Sequence, residues 1–126
     1  MPLSQIALLV DDYDKAIAWY CGKMGFAVLE DTRVSAAKRW VVVSPGEGGS
    51  NLLLARADTE AARAAIGNQS GGRVFLFLNT GKFDADYQRL TTAGVHFLET
   101  PRDEPYGKVA VFEDLYGNKW DLIGTG

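Results

Sequence analysis

The chain has 126 residues, 47% hydrophobic and 23% charged, a balance that suits one compact globular domain and excludes disorder. Its 16 acidic and 13 basic residues leave a net charge of −3, and no basic run exists to follow a phosphate backbone, which argues against nucleic-acid binding. The one cysteine, Cys21, forms no intrachain disulfide, Met1-Pro-Leu-Ser-Gln5 carries no basic leader region, and no apolar stretch reaches the ~18 residues of a membrane span, so a soluble cytoplasmic protein is expected.

Residues 4–10 form an apolar run too short for a helix and read as a buried strand. Asp11-Asp12-Tyr13-Asp14 then supplies cap candidates, and Ala16, Ile17, Trp19, Tyr20 and Met24 give a helical stripe that Gly25 ends. Strands follow at 26–31, 39–44 and 51–55, the last two joined by the turn Pro45-Gly-Glu-Gly-Gly-Ser50, which lacks the lysine and following helix of a phosphate loop. Asp58 to Ile66 reads as a short helix capped by Asp58, and the polar stretch 67–72 as a linker. A strand at 73–79, a helix at about 83–93 and strands at 95–99, 108–113 and 119–124 complete the chain, with Pro101 and Pro105 holding 100–107 in an irregular loop.

The order repeats. Gln5-Ile-Ala-Leu-Leu-Val10 is echoed by Arg73-Val-Phe-Leu-Phe-Leu78, and Gly25-Phe-Ala-Val-Leu-Glu30 by Gly94-Val-His-Phe-Leu-Glu99. Two copies of one β-α-β-β-β unit, about 4–56 and 73–124, make a single α+β domain over 1–126, not a solenoid, which needs three or more repeats. One helix covers only one face of so small a sheet, so the other face curls into a cup.

Asp14-Lys-Ala-Ile-Ala-Trp-Tyr20 through Gly25-Phe26, and Phe112-Glu-Asp-Leu-Tyr-Gly-Asn118 leading into Trp120-Asp121, resemble the vicinal oxygen chelate superfamily. The resemblance covers essentially the whole chain. It implies the glyoxalase/bleomycin resistance/dihydroxybiphenyl dioxygenase-like fold, a curved mixed sheet built from tandem βαβββ modules, and a homodimer with clefts between modules. In metal-using relatives, four ligands come from the first and last strands of each module. Those positions fall here on Gln5, Arg73, Asp121 and either Asn51 or Leu52; the internal repeat favours Leu52, and a one-residue slip selects Asn51.

This set suits a divalent metal badly. Asp121 is a good ligand and Gln5 a weak one, whereas Arg73 has no acceptor atom and stays protonated. No cofactor is therefore expected, and a divalent metal, if bound at all, would rest on Gln5 and Asp121. Arg73 is expected to pair with Asp121 where relatives have a metal-bridged pair, its fork also open to an anionic or carbonyl-bearing ligand. Asp121 is the best candidate for a general base, ahead of Glu99 and Glu113.

Strand alternation puts Gln5, Ala7, Leu9, Arg73, Phe75 and Phe77 on the cup side and Ile6, Leu8, Val10, Val74, Leu76 and Leu78 in the core. Phe75 and Phe77 suit an apolar or aromatic ligand, or equally a dimer interface, and Trp40 is a further candidate beside them. His96, the only histidine, reads as a surface residue and Cys21 as a packing one. The expected function is binding of a small organic molecule without a relative-like metal site, the alternatives being a metal-dependent lyase, isomerase or dioxygenase resembling glyoxalase I, or a non-catalytic scaffold or regulatory module.

Overall fold

A computed structural model describes residues 1–125. The chain forms two compact units, Met1–Ile66 and a second beginning at Gly67. Each carries its own curved mixed sheet, so the α+β expectation holds as two sheets.

The first unit runs β1 (Gln5–Val10), α1 (Tyr13–Gly22), β2 (Ala27–Arg33), β3 (Arg39–Ser44), β4 (Asn51–Arg56) and α2 (Glu60–Ala65). Its sheet order is β1-β4-β3-β2, with β1 and β4 parallel and the other pairs antiparallel. Helix α1 starts where Asp12 Oδ1 accepts the Lys15 amide at 2.8 Å, and the chain turns out of it at Gly25, whose φ of 77° suits a residue without a Cβ. Tyr13, Ala16 and Tyr20 of the helix are buried, together with Leu8, Val10, Val41, Val43, Leu52 and Leu54 of the sheet. Helix α2 is capped by Thr59, whose Oγ1 accepts the Ala62 amide at 3.0 Å, one residue later than the predicted Asp58.

The second unit runs β5 (Val74–Thr80), α3 (Phe83–Thr92), β6 (His96–Phe97), β7 (Arg102–Glu104), β8 (Gly107–Glu113) and β9 (Lys119–Gly124). Strands β5 and β9 are parallel, the order is β5-β9-β8-β6, and β7 pairs with β8. An unbroken run of ring contacts ties helix to sheet: Phe83 on Tyr87, Tyr87 on Phe97, Phe97 on Phe112 and Phe112 on Trp120, with centroids 4.6–5.9 Å apart.

Residues 100–107 are not an irregular loop. Pro101 and Pro105 sit just outside the three residues of β7, where their missing N–H groups cost no ladder bond, and Arg102–Glu104 folds back on β8 as a hairpin. The predicted strand 95–99 shortens to His96–Phe97 because the Glu99 side chain, not a backbone carbonyl, accepts the Val111 amide at 3.2 Å. Among the described residues no helix is long and apolar enough to cross a membrane.

Candidate functional site

Register decides which predicted residues share a surface. In the first unit Gln5 lies beside Asn51, Ala7 beside Leu53 and Leu9 beside Ala55, while Leu52 and Leu54 point to the helix and are buried. Leu53 also pairs with Val42, which puts Val42 and its alternate neighbour Trp40 on the same helix-free face. The Leu52 alternative is thereby corrected: it is 3% exposed in the core, and Asn51 is the residue beside Gln5. In the second unit Trp120 takes the equivalent buried place at 1% exposure, and Asp121 pairs with Phe77. The counterpart of Asp121 is therefore Leu53.

Arg73 and Asp121 are not brought together. Arg73 precedes β5, is exposed, and has no ion pair among the described residues. A bulge at Phe75 separates the pairs Val74–Lys119 and Leu76–Trp120, so Phe77 faces Asp121. Gln5 thus has its counterpart at the Val74–Phe75 bulge, and Val74, expected in the core, lies across from Lys119. Phe77 is 59% exposed, as the helix-free face requires, while Phe75 in the bulge is half-buried.

Two carboxylates shape the second unit. Asp114 is buried and accepts from Tyr116 N and Asn118 N at 3.0 Å on Oδ1, and from Asn118 Nδ2 at 2.9 Å and Trp120 Nε1 at 3.0 Å on Oδ2. The turn that leads into β9 is built on this one side chain. Asp121 is less satisfied, its Oδ1 being buried with no hydrogen-bond partner among the described residues. Burial pushes its carboxyl above the ordinary carboxylate range, with Arg102 pulling it back and Glu99 adding to the rise. Arg102 is itself held by Glu99 and by Glu104, at 2.9 Å from the latter. His96 is exposed, with Nδ1 3.6 Å from Glu113 across the sheet. Burial raises the half-buried Cys21 thiol, which makes it a poorer nucleophile.

A pocket of about 510 Å³ opens in the first unit, at the end of the sheet where β1 and β4 finish and β3 begins. Leu9, Leu53 and Trp40 form apolar walls, Ala62 of α2 closes one side, and Lys38 and Arg56 lie at the margin. Trp40 is 36% exposed, unlike the buried Trp120, so it offers an accessible ring. Tyr13 and Arg39, which also line the pocket, are fixed. The Arg39 guanidinium lies 5.2 Å from the Tyr13 ring centre and binds Asp31 through Nε and Nη2 at 3.0 and 2.7 Å and Asp14 through Nη1 at 2.9 Å. Its own amide donates to Tyr13 Oη at 3.2 Å.

The family model of the Glyoxalase/Bleomycin resistance protein/Dioxygenase superfamily matches residues 3–122. The chain belongs to this superfamily. It is 56% identical over 120 residues to an uncharacterized protein of Shewanella frigidimarina (strain NCIMB 400), covering 94% of this chain and 89% of that one. The crystal structure of UcmS2 matches with a TM-score of 0.85 and 31% identity, over 99% of this chain and 98% of that one. TnmS3, an antibiotic binding protein from Streptomyces sp. CB03234, matches with a TM-score of 0.77 and 27% identity, over 100% and 97% of the two chains.

The divalent metal of metal-using superfamily members finds a poor donor set here. The four equivalent places hold Gln5, Leu53, the Val74–Phe75 bulge and Asp121, of which one is a carboxylate and none is an imidazole. Among the described residues no three His, Cys, Asp or Glu side chains come together as a metal-binding group. Sequence reasoning named Trp40 only in passing and missed Leu53, Lys38 and Arg56. Leu53 was legible from the pairing of Ala7 with it, but only once the register was known; Lys38, in the β2–β3 loop, and Arg56, the last residue of β4, carried no periodic signal.

Proposed function

We propose that the chain binds a small, largely apolar organic molecule in the pocket of its first module, without a resident divalent metal. The observation that carries this reading is the accessible Trp40 ring set against Leu9 and Leu53 in a 510 Å³ hollow. That size and lining suit a planar aromatic ligand, since apolar walls with a few polar groups at the margin are the usual form of a small-molecule site. The likeness to TnmS3, an antibiotic binding protein, supports the same class of function. Phe77 and Asp121 give the second module an apolar and hydrogen-bonding strip of its own, which we propose as a separate ligand contact.

The donor set argues against the rival reading, a metal-dependent lyase, isomerase or dioxygenase. Calorimetric titration with 1-naphthylmethanol, a neutral aromatic probe, tests the pocket. Trp40→Ala is expected to weaken binding about tenfold or more, the loss of one stacked ring, with little change in stability at so exposed a position. In the same preparation nickel, zinc, iron and manganese are expected to leave the melting temperature unmoved. Stoichiometric metal binding that disappears in Asp121→Asn would overturn the metal-independent reading.

A further inference from the structure

We propose that the pocket of the first module selects anionic aromatic molecules, such as aromatic carboxylates and phenolates, over neutral or cationic ones. The proposal rests on the binding reading above and adds a charge to the ligand. Three cations line the pocket, and they are not equivalent. Arg39 is neutralised from outside the pocket, its three donor nitrogens spent on Asp31 and Asp14.

Among the described residues Lys38 and Arg56 have no carboxylate within ion-pair distance, and Arg56 Nη1 donates to the Ala37 carbonyl at 3.4 Å. That long contact steadies the guanidinium at the margin and leaves most of its five donors free. Against these two cations stands one acid of the lining, Asp58, which reaches neither of them in an ion pair. Within the lining, two cations not spent on ion pairs thus stand beside the accessible tryptophan of a protein whose net charge is −3. Unspent cations next to apolar walls recognise a ligand with a flat body and an anionic end, the guanidinium fork matching a carboxylate with two parallel bonds.

The test is calorimetric titration of the full chain with three probes of one ring system: 1-naphthoate, 1-naphthylmethanol and 1-naphthylmethylammonium, at low and at physiological salt. Naphthoate is expected to bind on the order of tenfold tighter than the alcohol, with the ammonium weakest and the preference shrinking as salt rises. The double variant Lys38→Gln, Arg56→Gln is expected to bring naphthoate to the affinity of the alcohol measured on the same variant. Both side chains are exposed, so the variant folds, and its unchanged melting temperature checks this. Equal binding of all three probes, or a preference that survives the double variant, overturns the charge selection and leaves the pocket reading standing. Binding of none of the three, or binding that Trp40→Ala leaves unaltered, overturns both.

Discussion

Asp121 is the residue where sequence and structure diverge most usefully. The Asp114–Asn118 turn that leads into its strand was legible in the sequence. The partner was not. An arginine two residues ahead of the true register was the only cation in sight, whereas Arg102 reaches the site from a hairpin that two prolines disguised as a loop. Arg102 is shared by Glu99 and Glu104, so burial outweighs it and the Asp121 carboxyl stays above its ordinary range. The folded chain then holds this proton to higher pH than the unfolded chain does. The contribution to stability is most favourable below the ordinary carboxylate value and declines as pH rises through the raised one. Asp121→Asn, which cannot ionise, is expected to gain in melting temperature over the native chain as pH is taken from 4 to 7, with no difference near pH 3. A native chain more stable than the variant at pH 7 would refute this.

At the scale of elements, strands and helices were readable wherever an apolar run or a helical stripe was long enough, as in β1, α1, β3 and β9. The hairpin of β7 and β8 escaped because three residues carry no period. Its formation depends on Gly107, whose φ is 138°; a Cβ there would lie 1.9 Å from the Gly124 carbonyl oxygen of β9. Gly48, in the β3–β4 turn, also has positive φ, at 86°, but open space around it. Gly107→Ala is therefore expected to cost about 3 kcal/mol or more in urea unfolding, and Gly48→Ala about 1 kcal/mol, the backbone strain alone. Equal costs would mean that the close approach of β8 to the end of β9 does not constrain the hairpin.

On the scale of the whole molecule, β2 lies at the edge of the first sheet with all seven residues exposed, Val28 and Leu29 among them. Such an edge invites a partner, and with it goes our proposal of a homodimer: sedimentation at micromolar concentration is expected to give twice the chain mass, and a monomer would contradict it. The doubled plan itself was plain in the sequence, yet its two copies align in steps. The core of β1 recurs in β5 two residues later than the sequence echo suggests, Leu8 answering to Leu78, since Leu8 pairs with Leu54 as Leu78 pairs with Leu122. Because the strand period is two, that slip kept Leu76, Phe77 and Leu78 on their expected faces, while Val74, ahead of the bulge, did not keep its core place and Arg73 was the wrong residue to name. The slip in β4 was of one residue, and there Leu52 changed faces altogether. The same parity bears on how the copies grew apart. The bulge at Phe75 takes up a single extra residue without turning the rest of β5 inside out, so descendants of a duplicated gene can gain or lose residues at such points while their hydrophobic faces stay aligned.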